Sequence, residues 1–265
     1  PARVVVRMES LESRMKRFEG IDDTQALPGV FLVARVDGRS FTRLLRDELG
    51  LDRPFDERVR DAMVAAGQRL LTCGVRGVFA FTQSDELSVL LHRDDTAFDR
   101  RLRKLNSVLA GEASAAFSLA LGVAGAFDCR VLQLPRREDV RDYFLWRAED
   151  GVRNALSAWC YWTLRREGLS RRAVTRQLEG LGRAAKHELL FSRGINFNDV
   201  PAWQRGGVAL RWTQELREGV DPRSGAVALT SRRVLCVEPE VPSRAALGPF
   251  LDARIAEAET ADEGP

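Results

Sequence analysis

Apolar runs alternate with polar breaks along this chain, and their spacing predicts its elements. Leu11, Met15 and Phe18 recur at helical spacing and predict a leading amphipathic helix. Val30-Phe31-Leu32-Val33-Ala34-Arg35-Val36 is almost continuously apolar and stops at Asp37-Gly38, the pattern of a buried central strand entering a loop. After Pro54, the residues Val59, Met63, Ala66 and Leu70 return to helical spacing, with Asp56 and Glu57 suited to the positive end of a helix. The runs from Val78 to Thr82 and from Leu87 to Leu91 favour strands, and Gln83-Ser84-Asp85-Glu86 between them is a polar break of hairpin length. A second helix is predicted from Phe98 through Leu102, Leu105, Leu109 and Ala116, with Arg100, Arg101, Lys104 and Ser107 on another side. Phe127 to Leu134 alternates as a fourth strand and stops at Pro135. The order βαββαβ is that of a ferredoxin-like split unit in the α+β class, with helices on one face of an antiparallel sheet.

Beyond Pro135 the character changes. Asp139 to Glu167 is a long helical pattern carrying Trp146, Trp159 and Trp162, which read as core, and Ser170 to Gly180 is a capped short helix. Val208 to Trp212 and Ala226 to Val237 read as strands of a hairpin joined through Asp221-Pro222-Arg223-Ser224-Gly225, Ser243 to Glu257 as a closing helix, and Thr260 to Pro265 as a frayed tail. We therefore expect a catalytic unit over residues 1–135, including the N-terminal helix, and a helical appendage with a C-terminal β-hairpin plus helix over 136–265, packed on it as one body.

Composition narrows the classes. The chain has 265 residues, 45% of them apolar and 30% charged, which is globular and neither disordered nor collagen-like. No apolar run approaches the ~20 residues of a bilayer-spanning helix, and the first ten residues lack the apolar stretch of a signal peptide. The expectation is a soluble, cytoplasmic protein with no membrane partner. Cys73, Cys129, Cys160 and Cys236 form no Cys-x-x-Cys pair and read as buried free thiols. Only His92 and His187 are present, so a zinc centre or histidine triad is disfavoured, and any chemistry falls to carboxylates and arginines. Lysine occurs only at Lys16, Lys104 and Lys186 among 41 basic residues. Arginine suits phosphate recognition, although genomic base composition yields the same bias.

In the βαββαβ topology the end of the first strand lies beside the turn between the second and third, so Asp37 and Asp85 can converge. Two converging carboxylates suit a pair of hard divalent cations, magnesium being the expected ion. Gly38-Arg39-Ser40-Phe41 supplies main chain able to approach phosphate, Glu86 adds charge beside Asp85, and Ser84 offers a hydroxyl. Taken alone, Asp37-Gly38 reads as a turn and Ser84-Asp85-Glu86 as a solvated hairpin tip; their joint placement on this topology favours a site.

These residues resemble the tRNA-His guanylyltransferase superfamily, 3′-to-5′ nucleotide polymerases with a palm-like catalytic domain. The matching blocks are Val36-Asp37-Gly38-Arg39-Ser40-Phe41, Arg53-Pro54-Phe55-Asp56, Gln83-Ser84-Asp85-Glu86-Leu87-Ser88 and Phe127-Asp128-Cys129-Arg130-Val131. They continue in order through Asp142-Tyr143-Phe144-Leu145-Trp146-Arg147, Arg153-Asn154, Lys186-His187-Glu188-Leu189-Leu190-Phe191 and Asn196-Phe197-Asn198.

The resemblance implies a polymerase- or cyclase-like palm in which Asp37, Asp85 and the Gly38 main-chain carbonyl hold two Mg²⁺ ions. Glu86 then matches a catalytic acid that supports the metal site. It further implies that residues Gly38, Arg39, Ser40 and Phe41, with Arg53, Ser84, Arg100, Arg101 and Lys104, hold the triphosphate, and that Arg153, Asn154, Lys186 and Asn198 face nucleotide or tRNA. ATP or GTP would activate the tRNA 5′ end, nucleoside triphosphates would be added, and the assembly would be a homotetramer, a dimer of dimers. Arg53 stands where the family often has Lys, keeping the charge but changing donor geometry. Val152 stands where the eukaryotic enzymes have a His followed by Ile-Asn-Asn. That departure favours the bacterial and archaeal like proteins, which repair 5′-truncated tRNAs by template-directed addition. Two alternatives remain open at this stage: a nucleotidyl cyclase acting on free triphosphate, and a palm that binds RNA without catalysis.

Overall fold

The computed structural model describes residues 9–41, 44, 50–220, 227–242 and 244–260. The expected turn at 221–225, Ser243 at the start of the closing helix and the tail residues 261–265 lie outside the described residues. Six antiparallel-paired strands form one sheet: β1 (Phe31–Gly38), β2 (Gly77–Gln83), β3 (Glu86–Leu91), β4 (Phe127–Leu134), β5 (Val208–Val220) and β6 (Val227–Glu238), in the order β4-β1-β3-β2-β5-β6. The first four strands make the expected split unit, and the C-terminal hairpin extends it along the β2 edge. The sheet thus runs through both halves of the chain.

β1 is apolar on both sides because both sides are covered. Leu32, Ala34 and Val36 face α2 (Glu57–Leu70) and α3 (Leu102–Leu121), packing with Met63, Leu70, Leu87 and Leu109. Phe31 and Val33 face the opposite way, into a second cluster with Tyr143, Phe144 and Leu251 from α4 (Arg137–Arg166) and α8 (Arg244–Thr260). Between α4 and α8 lie α5 (Arg171–Leu178), α6 (Arg183–Phe191) and the short α7 (Ala202–Gly206). Ala155, Leu156, Cys160, Leu190 and Phe197 make a third cluster there. The helical half therefore roofs the face of the sheet that the βαββαβ pattern alone leaves bare.

Five expectations need correction. α1 (Leu11–Glu19) forms, capped by Ser10, but Leu11, Met15 and Phe18 are 66%, 43% and 64% exposed and join no described core. The second helix begins at Leu102 rather than Phe98, because Phe98, Asp99 and Arg100 take positive φ in a 3₁₀ turn and Arg101 becomes the N-cap. β5 runs on to Val220, since its polar outer half is paired along β6 and reads as loop only when that partner is ignored. Trp146 is half exposed rather than core. Among the described residues no helix is long and apolar enough to cross a membrane, and Cys160 alone of the four free thiols is fully buried.

Candidate active site at the end of the first strand

Alternation along β1 puts Arg35 and Asp37 on the face shared with Phe31 and Val33, beneath α4. At the strand end the Gly38 N–H donates to the Asp85 carbonyl at 2.9 Å, tying β1 to the β2–β3 turn, where Ser84 has a φ of 56°. Asp37, Ser84, Asp85 and Glu86 line a cleft of about 360 Å³, closed on the other side by Arg147, Asp150 and Asn154 of α4. The expected convergence of Asp37 with Asp85 is thus present.

The three carboxylates differ in environment. Glu86 pairs in register with Asp37 across the β1–β3 ladder, and its oxygens are taken by arginine. Arg147 donates to it from Nε at 2.5 Å and from a terminal nitrogen at 2.7 Å, and Arg35 donates at 2.6 Å. Arg147, only 7% exposed, also bonds Asp150 at 3.0 Å and lies 4.5 Å from the Trp146 ring centroid. Burial pushes the Asp85 carboxyl above the usual range, and the charges of Asp37 and Glu86 push the same way. Among the described residues Asp85 has no cationic partner, and Arg35 reaches Asp37 only at 3.9 Å. Asp85, and Asp37 with only the loose contact to Arg35, therefore present carboxylate oxygens to the cleft, the donor chemistry a hard divalent cation requires. Among the described residues no three His, Cys, Asp or Glu side chains gather around one point. Any ion would need main-chain, water or phosphate oxygens to complete its shell, which is the habit of Mg²⁺.

The expected triphosphate loop is held from behind. The Phe41 ring is buried between Phe117 and Phe127, both at 4.9 Å between centroids. A β-carbon at Gly38 would sit 2.6 Å from that ring, so residue 38 must be glycine for the loop to close. Ser40 follows with a φ of 61°. The Gly38 and Arg39 amides are spent on the carbonyls of Asp85 and Ala126, so they do not point freely to a phosphate as the sequence suggests.

Arg100 requires a firmer correction. Its guanidinium donates to the carbonyls of Arg93, Asp95, Leu27 and Val30, which makes it a loop anchor with no donor fork left for phosphate. Arg101 bonds the Phe98 carbonyl and lies 3.5 Å and 3.4 Å from Asp23 and Asp99. Lys104 is exposed on the first turn of α3, which starts beside the beginning of β1, at the far end of that strand from Asp37, so the structure does not bring it to the cleft as expected. Arg53 lies over the Trp162 ring at 5.2 Å, next to the cleft-lining Pro54 and Phe55.

The remaining expected contacts spread over the helical half. Arg153 and Asn154 both turn to Asp150, as an ion pair and a 3.4 Å hydrogen bond respectively, and only Asn154 lines the cleft. Lys186 donates to the Ser157 hydroxyl at 3.0 Å and Asn198 is exposed on a 3₁₀ turn; neither lines the cleft. Sequence reasoning gave no role to Arg35, Arg147 or Asp150. Arg35 could have been found from its place as a lone charge in the apolar run, two positions before Asp37 and so on the same strand face.

The family model described as tRNAHis guanylyltransferase matches residues 12–135, and the Thg1 C terminal domain matches residues 138–236. A Drosophila melanogaster protein named "Probable tRNA(His) guanylyltransferase" is 34% identical over 206 residues, covering 74% of this chain and 71% of that one. The tRNA(His) guanylyltransferase of Debaryomyces hansenii is 31% identical over 221 residues, covering 78% and 82%. A bacterial tRNA(His) guanylyltransferase (Thg1)-like protein in complex with ATP superposes with a TM-score of 0.73 at 23% identity, and one in complex with GTP with 0.69 at 25%, each covering 93% of this chain and 99% of the other. With both family models met in order along the chain and the palm carboxylates gathered at one cleft, the protein belongs to the tRNAHis guanylyltransferase (Thg1) family.

Proposed function

We propose that this chain is a nucleotidyltransferase that adds nucleotides to the 5′ end of tRNA in the 3′-to-5′ direction, choosing each by pairing with the opposite strand of the acceptor stem. The observation that carries this reading is the 2.9 Å bond from the Gly38 amide to the Asp85 carbonyl, which sets Asp37 and Asp85 on one cleft, neither of them hydrogen-bonded by an arginine among the described residues. Asp37, Asp85 and the Gly38 carbonyl would hold two Mg²⁺ ions, which when bound supply charge neutralisation for the phosphates and activation of the attacking hydroxyl. The chain's own residues bind and orient. The Ser84 hydroxyl at the hairpin turn supplies a donor for the triphosphate. Asn154, reaching into the cleft from α4, is placed to meet the nucleotide.

In the reaction, the 3′-hydroxyl of the incoming nucleotide attacks the activated 5′ phosphorus of the tRNA and gives up its proton to solvent, while the bond to the activating group breaks and that group leaves as a nucleoside monophosphate, or as pyrophosphate where the 5′ end carries a triphosphate. Catalysis is then chiefly positioning and charge stabilisation. The names of relatives solved with ATP and with GTP support either nucleotide as the activator. Val152 supports the repair of 5′-truncated tRNAs over dedicated tRNA-His guanylation, and a homotetramer working in the cytoplasm fits that family reading.

The test incubates the full chain with 5′-truncated tRNAs, Mg²⁺, ATP and each nucleoside triphosphate, with and without an opposing template base. Template-dependent 5′ extension is expected. Absence of extension on any tRNA overturns the proposal, and turnover of free triphosphate without RNA would replace it with a cyclase.

A further inference from the structure

Glu86 sits directly across the ladder from Asp37, a register that brings two like charges to within about 5 Å at their β-carbons. Such a pair is unfavourable unless a cation lies between them. Two cations are present. Arg147 grips both Glu86 oxygens, at 2.5 and 2.7 Å, and the Arg35 guanidinium takes a third contact at 2.6 Å. Arg35 approaches Asp37 no nearer than 3.9 Å, beyond hydrogen-bond range, although both project from the same face of β1 two residues apart. The Arg35 Nε is buried with no hydrogen-bond partner, so this side chain is held where Glu86 wants it and not where its own bonding would be best satisfied. Charge accounting around the cleft gives the same answer. Arg35 and Arg147 face four carboxylates lining the cleft, and their hydrogen bonds go to Glu86 and Asp150, leaving Asp37 and Asp85 with none from either guanidinium.

We infer that Glu86 is a positioning residue and not a metal ligand: clamped by Arg147, it draws the Arg35 guanidinium away from Asp37 and so keeps that carboxylate open to a divalent cation. This rests on the proposed metal role of Asp37 and Asp85, and it assigns a task to Arg147 in α4 that the carboxylates alone do not reveal. Without Glu86, Arg35 would fall onto Asp37 and compete there with the ion, because an opposite charge a few ångströms away in a half-buried site outweighs a solvated alternative. α4 thereby sets the readiness of a site built on β1 and the β2–β3 turn.

The experiment measures Mn²⁺ binding by electron paramagnetic resonance on the full chain without nucleotide or RNA, with thermal melting of each variant to confirm that it is folded. Glu86→Gln is expected to weaken Mn²⁺ binding about tenfold or more, and Arg147→Met to weaken it in the same direction. Arg35→Gln should bind at least as well as the unaltered protein. The decisive variant combines Glu86→Gln with Arg35→Gln: removing the competitor should return binding to within about threefold of Arg35→Gln alone. If the double variant binds as poorly as Glu86→Gln, or worse, Glu86 contributes to the ion directly and the inference is overturned. If Asp37→Asn leaves Mn²⁺ binding unchanged, the carboxylate site itself is wrong and this inference falls with it, a result distinguishable from the first because only Asp37→Asn reveals it.

Discussion

The Gln83 carboxamide occupies the space that a β-carbon on residue 151 would need: its Oε1 would lie 2.1 Å from that atom. Gly151 sits inside α4, where glycine costs about 1 kcal/mol relative to alanine. The close approach explains why it is there, since it lets the helix settle onto the hairpin that carries Asp85. Gln83 is not free to turn aside, because its Nε2 donates to the carbonyls of Gln204 and Arg205 at 3.2 Å each. For Gly151→Ala the helical gain is offset by the loss of those two bonds, about 1 kcal/mol apiece. Melting should therefore occur slightly lower, whereas an unconstrained helical glycine would give the reverse. In a Gln83→Ala background, where those bonds are already absent, Gly151→Ala should raise the melting temperature; a rise for the single variant in the unaltered background would refute the packing account.

Asp85 is held in a site that disfavours its charge. Its folded carboxyl is raised by burial and then by Asp37 and Glu86, so the folded state binds a proton more tightly than the unfolded one. Stability from this group is present below the unfolded value and declines as pH rises through the folded one. Asp85→Asn should consequently melt higher than the unaltered protein at neutral pH in metal-free buffer while losing roughly a hundredfold or more in nucleotide addition. Mg²⁺ should raise the melting temperature of the unaltered protein but not of the variant. Calorimetry with and without Mg²⁺ checks both statements.

Arg100 and Lys104 are near in sequence and opposite in expected behaviour. Arg100→Ala removes donors from four main-chain carbonyls and should cost about 2–4 kcal/mol of stability, with little effect on the KM for nucleotide in the protein that remains folded. Lys104→Ala, at an exposed position outside the cleft, should leave both the melting curve and the kcat/KM for the triphosphate nearly unchanged. Paired urea denaturation and steady-state kinetics separate the two, and a raised KM for folded Arg100→Ala would contradict the anchoring role of Arg100.

Asp56 caps α2, accepting from the amides of Arg58 and Asp52 at 2.8 Å each, and hydrogen bonding from the Arg58 side chain holds its carboxyl down to about 2. The depressed value means that its stabilisation is complete above the ordinary carboxylate range and is lost as pH falls from about 4 toward 2. Asp56→Ala should destabilise by about 1–2 kcal/mol at pH 7 and much less at pH 2. A difference independent of pH would mean that the cap does not act through its charge.

Local pattern carried the palm a long way. The uninterrupted run from Val30 to Val36 foretold a strand covered on both faces, and the break at Gln83 to Glu86 foretold the turn that meets it. What escaped is non-local. The left-handed residues Phe98, Asp99 and Arg100 lie in a helical pattern, and only the bonds from Arg100 to segments around residues 27–30 and 93–95 show why the helix starts later. Arg147 looked like one more arginine on an aromatic-rich helix, since its partner Glu86 lies 61 positions away. The outer half of β5 carries Gln214, Glu215, Arg217 and Glu218, whose polarity conceals a strand that only its pairing with β6 reveals.

Because the hairpin β5–β6 completes the β2 margin and α4 with α8 blankets Phe31, Val33, Phe79 and Leu90, the two regions matched by separate family models are not separable pieces. Cutting the polypeptide near residue 136 would leave a greasy plane and an unzipped border on the amino-terminal fragment, an invitation to clump. Neither half can be shed without the other losing its shelter.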